Sequence, residues 1–220
     1  MVWVKICGTT NLEDAQAAVD AGADALGFIF AQSPRRISPS EAKRIIAALP
    51  RKVETVGVFV NQKAAVILET AEKAGLTGAQ LHGDETLEFA HELRDGARAA
   101  GIKLRLYKAV AMKRLTAGDF DLALRRNLIS AYLVDSGSPA KRGGTGKKFD
   151  WEEAAPLVRF VGGRFDLIIA GGLNPENVVK AIRLFHPWGV DVVSGVESEP
   201  GKKDHEKVRE FVKAAKSSDL

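Results

Sequence analysis

Asp166-Leu167-Ile168-Ile169-Ala170-Gly171-Gly172-Leu173-Asn174-Pro175-Glu176-Asn177 holds one complete strand-to-helix junction. Leu167-Ile168-Ile169-Ala170 is apolar at successive positions, so the strand predicted over Asp166–Ala170 must be covered on both faces. Two glycines then turn the chain, and Asn174 followed by Pro175 supplies the N-cap and first position of a helix. The same unit recurs along the chain. Strand candidates lie at Val2–Cys7, Ala25–Phe30, Glu54–Val60, Ala79–His82, Leu104–Val110, Ala131–Asp135, Asp166–Ala170 and Asp191–Ser194. Helix starts between them include the capping-box pattern Ser38-Pro39-Ser40-Glu41 and the acidic pair in Asp150-Trp151-Glu152-Glu153. Apolar residues follow at helical spacing, as in Ala42, Ile45, Ile46 and Leu49, or Val208, Phe211 and Val212. Leu93–Gly101 reads as a soft helix end, and no linker-like composition shift marks a boundary. Eight such units in 220 residues predict an α/β fold, a single (β/α)8 TIM barrel spanning residues 1–220. A doubly wound open sheet is the alternative, but it would need only about five or six strands.

Charge and cysteine usage narrow the chemistry. The 32 basic and 28 acidic residues leave a formal charge of +4. That mild excess fits an anionic small ligand better than nucleic acid, which needs a dense basic stripe with aromatic platforms. A single cysteine excludes an internal disulfide framework and points to a reducing compartment. No signal-peptide pattern opens the chain and no apolar run reaches membrane-spanning length, so the expectation is a soluble, cytoplasmic protein without a membrane partner.

In such a barrel the C-terminal strand ends carry the chemistry. Those ends display Cys7, the Ser33-Pro34-Arg35-Arg36 loop, His82, Asp135, Gly171-Gly172 and Ser194-Gly195. Cys7 and Asp135 come from strands on different sides of the barrel, and a thiol and a carboxylate flanking one substrate suit paired proton transfers. A packed core thiol and a salt-bridged carboxylate are the plainer alternatives. Glycine-rich loops at Gly143–Gly146, Gly171-Gly172 and Ser194-Gly195 let backbone N–H groups approach an anion. A phosphate site after strands 7 and 8 is the expectation, with Gly144 as a further contact; plain turn chemistry is the alternative. Lys141, Arg142, Lys147 and Lys148 surround the first of these loops. Arg36 is placed to pair with a substrate carboxylate, whereas Arg35 reads as a surface residue. His82 is either a ligand contact or an orienting core histidine. No His/Cys cluster has metal-ligand spacing.

With these residues the chain resembles the phosphoribosylanthranilate isomerase family, (β/α)8 enzymes of tryptophan biosynthesis. The resemblance runs through Lys5-Ile6-Cys7-Gly8, Gly27-Phe28-Ile29-Phe30, Ser33-Pro34-Arg35-Arg36-Ile37, Val56-Gly57-Val58-Phe59 and Gln80-Leu81-His82-Gly83. It continues through Leu133-Val134-Asp135-Ser136, Gly143-Gly144-Thr145-Gly146, Phe149-Asp150-Trp151, Ala170–Val178, Ser194-Gly195-Val196-Glu197 and Pro200-Gly201 with Lys203-Asp204. It implies an Amadori rearrangement of the aminoaldose N-(5-phosphoribosyl)anthranilate to an aminoketose. Asp135 would be the general acid and Cys7 the general base, Arg36 would hold the anthranilate carboxylate, and the glycine loops the phosphate. It also implies no metal or organic cofactor, a phosphosugar substrate as the partner, and a monomer or homodimer.

Three rivals make distinct predictions. The histidine-pathway aminoaldose isomerase uses an aspartate at the Cys7 position and needs a second phosphate loop near strands 3 and 4. Here those positions hold Val60-Asn61-Gln62 and His82-Gly83-Asp84. Indole-glycerol-phosphate synthase has a lysine-rich site. A non-catalytic phosphosugar-binding barrel needs no thiol and acid across its mouth.

Overall fold

The structure, a computed structural model, describes residues 1–111, 128–135 and 151–218. Eight parallel strands close into a barrel in sequence order: β1 Trp3–Cys7, β2 Ala25–Ile29, β3 Glu54–Phe59, β4 Gly78–Leu81, β5 Arg105–Ala111, β6 Ala131–Asp135, β7 Leu167–Ala170 and β8 Gly189–Val192. Closure is made by β1 on β8, with Trp3 opposite Gly189 and Ile6 opposite Val192. The described helices are α1 Leu12–Asp20, α2 Pro39–Ala47, α3 Ala64–Ala74, α4 Leu87–Ala99, α5 Trp151–Gly162, α6 Val178–Phe185 and α7 His205–Lys216.

The helix starts follow the local chemistry. Ser38 and Glu41 form a reciprocal capping box at α2 with Pro39 at its first position. Asn174 accepts the backbone N–H groups of Glu176 and Asn177, both at 3.0 Å, but it caps a turn that precedes α6. Strand β8 lies two residues earlier than Asp191–Ser194. Parallel pairing with β1 draws Gly189 and Val190 into the ladder, and Ser194 begins a short 3-10 turn, Ser194–Val196. After it come β9 Glu197–Glu199 and β10 Lys202–Lys203, an antiparallel pair that folds back over the end of β1.

Alternate residues of each strand divide between two cores. Outward ones, such as Val4, Ile6, Leu26, Phe28 and Val190, pack under the helices. Inward ones, including Ala25, Val56, Tyr107, Ala131, Leu133, Ile168 and Ala170, fill the barrel. Trp3 stacks on Trp188 at its N-terminal end, with ring centroids 4.9 Å apart. Aromatic packing closes that end together with the Glu54–Arg105 pair at 3.2 Å, and Lys5, Gln80 and Asp191 lie one inward layer further along the strands. Among the described residues no helix is long and apolar enough to cross a membrane.

Candidate active site

Parity on β1 is the starting point. Trp3, Lys5 and Cys7 point inward, while Val4 and Ile6 point to the helices. Cys7 ends the strand, is 3 % exposed, and has its sulfur against Gly27 on β2. A Cβ on Gly27 would overlap that sulfur, so glycine is what makes the seat. Gly27→Ala is expected to push the sulfur aside. Overpacking should also destabilise the fold by about 1–3 kcal/mol. Denaturant unfolding measures the loss.

Beneath Cys7 the barrel holds charges where such interiors usually hold branched apolar side chains. Lys5, 1 % exposed, donates to Asp191 Oδ1 of β8 at 2.8 Å and to Gln80 Oε1 of β4 at 2.9 Å. A lysine ammonium cannot accept, so the Gln80 oxygen must face it and the Gln80 amide NH2 must face His82. That NH2 lies 2.8 Å from His82 Nδ1, which is thereby the acceptor, and the neutral ring carries its proton on Nε2. His82 stands solvent-exposed on the rim. The surrounding protein nevertheless disfavours its cation and lowers its pKa against the raising influence of Asp135.

Burial is the largest influence on the Cys7 thiol and pushes its pKa up, with Asp191 adding to the rise and Lys5 and Lys203 opposing it. Lys203 is itself buried. Its ammonium donates to the Cys7 carbonyl at 2.6 Å, the Val193 carbonyl at 3.1 Å and Glu197 Oε1 at 3.2 Å. Glu197 also accepts two hydrogen bonds from Arg35, at 2.8 and 2.6 Å. Arg35 is therefore not the surface residue expected from sequence; it joins the loop after β2 to the hairpin after β8. Its neighbour Arg36 is exposed, with its backbone pinned to Ser33 at 3.1 Å and paired with Ile29.

Asp135 ends β6 two residues beyond Leu133 on the inward parity, and it is partly buried. The loops after β7 and β8 meet: a Cβ on Gly195 would overlap the Leu173 backbone. Gly171 and Gly172 turn the first of these loops with φ of +86° and +67°, and Ser194 is exposed at the start of the second. Gly144, with its basic neighbours Lys141, Arg142, Lys147 and Lys148, lies outside the described residues.

Loops 3 and 4 differ in kind. Glu85, 9 % exposed, accepts the N–H groups of Asn61 and Gly83 at 2.7 and 2.8 Å and pairs with Lys108 at 3.1 Å. Asn61 Oδ1 takes the N–H of Asp84 at 2.8 Å. The protein's own oxygens thus occupy the donors that an anion would use there.

Residues 4–214 match the family model of N-(5'-phosphoribosyl)anthranilate isomerase. The chain belongs to that family. The isomerase of Pelobacter propionicus is 46 % identical over 219 residues, covering 99 % of this chain and 97 % of the relative. The crystal structure of the Thermotoga maritima isomerase superposes with a TM-score of 0.82 at 44 % identity, covering 99 % of this chain and all of the other. A crystal structure of phosphoribosylanthranilate isomerase in complex with reduced 1-(o-carboxyphenylamino)-1-deoxyribulose 5-phosphate gives 0.80 at 42 % identity, with 99 % and 100 % coverage. The chain is accordingly an enzyme of tryptophan biosynthesis that isomerises N-(5-phosphoribosyl)anthranilate to the corresponding 1-deoxyribulose phosphate. Lys5, Asp191, Gln80, Lys203 and Glu197 were not among the site residues expected from sequence. The signal for Lys5 is its place two residues before Cys7, on the same face of an otherwise apolar strand.

Proposed function

We propose that Cys7 is the base and Asp135 the acid of this isomerisation, with Arg36 on the anthranilate carboxylate and the loops after β7 and β8 on the phosphate. The observation that carries the reading is that a buried thiol and a carboxylate end inward-facing runs on β1 and β6, at the rim where those two loops meet. Asp135 donates its proton to the furanose oxygen, and the ring opens to an iminium at C1′. The Cys7 thiolate removes the C2′ proton, and the electron pair of that C–H bond neutralises the iminium as an enolamine. Tautomerisation adds a proton at C1′ and releases the hydroxyl proton at C2′, leaving the ketone with no net gain or loss of electrons. The enzyme is one barrel domain acting in the cytoplasm on a small phosphosugar. His82, neutral and with Nε2–H on the rim, is a further substrate contact.

The saturated donors of loops 3 and 4 favour a substrate with phosphate at one end over the doubly phosphorylated one of the histidine pathway. The fluorescence of N-(5-phosphoribosyl)anthranilate generated in situ tests the assignment. The purified chain should consume it, and Arg36→Ala should raise KM by about 10- to 100-fold, the worth of a charge-assisted hydrogen-bonded pair. Failure to consume the signal overturns the acid–base reading. A loss confined to kcat in Arg36→Ala overturns the anchoring role.

A further inference from the structure

Lys5 is a buried charge that the acid–base scheme leaves without a task. Its ammonium has three N–H donors. Asp191 and Gln80 take two of them, and Cys7 is the next inward-facing residue, two positions along the same strand. Stability does not account for a lysine here, because exchanging a buried ion pair for well-packed apolar residues is often neutral or favourable. We propose that Lys5 is a positioning residue for the isomerisation, holding the Cys7 sulfur by a hydrogen bond and compensating its negative charge when the thiolate forms.

The inference rests on Cys7 being the base. The groups that bear on the sulfur are Lys5 on β1, Asp191 on β8, Lys203 on β10 and Arg35 in the loop after β2, with His82 and Asp135 across the rim. Lys203 is committed to backbone carbonyls and Glu197, and Arg35 to Glu197. Lys5 is the cation among them that shares the inward face of β1 with Cys7, both side chains being buried. Asp191 opposes it electrostatically while fixing its position, so the pair holds the sulfur close to a cation without leaving that cation unbalanced before the thiol ionises.

Cys7 is the chain's single cysteine, so the thiolate's ultraviolet absorbance, read as a difference against Cys7→Ala, reports it alone. In Lys5→Met the midpoint of that titration should rise by about one to three pH units, the effect of losing an opposite charge at contact distance. Turnover at neutral pH should fall by about 100-fold with KM changed by less than about threefold, as for loss of an interaction confined to the transition state. Asp191→Asn keeps the lysine and removes its anion, so its midpoint should move down. It serves alone if Lys5→Met does not fold. Unmoved midpoints in folded variants overturn the role of Lys5, even with Cys7→Ala inactive. Full turnover in Cys7→Ala overturns the base assignment instead, whichever way the midpoints move.

Discussion

Alanine at position 7 is expected to lower kcat/KM by about 10³- to 10⁴-fold, the upper range for removal of a positioned general base. That is about 4–5 kcal/mol of transition-state stabilisation, at 1.36 kcal/mol for each factor of ten. The loss should fall on kcat with KM little changed, because the sulfur meets the C2′ proton only as that bond breaks. Stability should change by only about 1 kcal/mol, since one sulfur leaves a small cavity between β1 and β2. Rapid fluorescence assays and denaturant unfolding on the same preparation separate the effects. A variant with near-normal turnover and large destabilisation would return Cys7 to the role of core packing.

The pH dependence of the unaltered enzyme follows from the same burial. The thiol's pKa is raised in the folded protein, so its base form gains population as pH climbs. Because kcat/KM reports groups of the free enzyme, it should keep rising with pH through neutrality and beyond the ordinary thiol value of about 8.5. Once substrate is bound, the iminium at C1′ places a cation beside C2′ and draws the proton off sulfur. The rise should therefore be shallower and lie at lower pH in kcat. A flat kcat/KM between about pH 7 and 9 would contradict a buried neutral thiol as the resting state.

The local part of this architecture was legible in the sequence and the long-range part was not. Both-face apolar runs gave the strands, because a parallel strand is covered on each side wherever it sits. Ser38 and Glu41 marked α2 because a capping box is complete within four residues. Strand β8 was displaced by two residues because its extent is set by pairing with Trp3 and Val4, far away in the chain. Arg35 read as surface for the same reason: Glu197 lies 162 positions on. Cys7 and Asp135 could be picked as reactive types at strand ends. The Lys5–Asp191 pair spans 186 positions, and only barrel closure brings its members together.

Asparagine at position 135 is the second large effect expected, because it keeps the shape of the carboxyl group but cannot donate the proton that opens the ring. Turnover should fall by about 10²- to 10⁴-fold with KM held within a few-fold. Substrate already opened to its iminium does not need that proton, so C2′ exchange from an open-chain imine analogue should survive in Asp135→Asn and vanish in Cys7→Ala. A second reading comes from His82, whose cation is favoured by the Asp135 charge and disfavoured by its surroundings. Removing that charge should lower the His82 pKa further, visible in the ring proton resonances. A His82 titration that stays in place would put Asp135 too far across the mouth to share a substrate with the residues on β1 and β4. Were Asp135 merely one end of a structural ion pair, the substitution would instead cost stability and leave the exchange step and turnover near their original rates. The two readouts together distinguish an acid at the reacting ring oxygen from a carboxylate that only holds the rim in place.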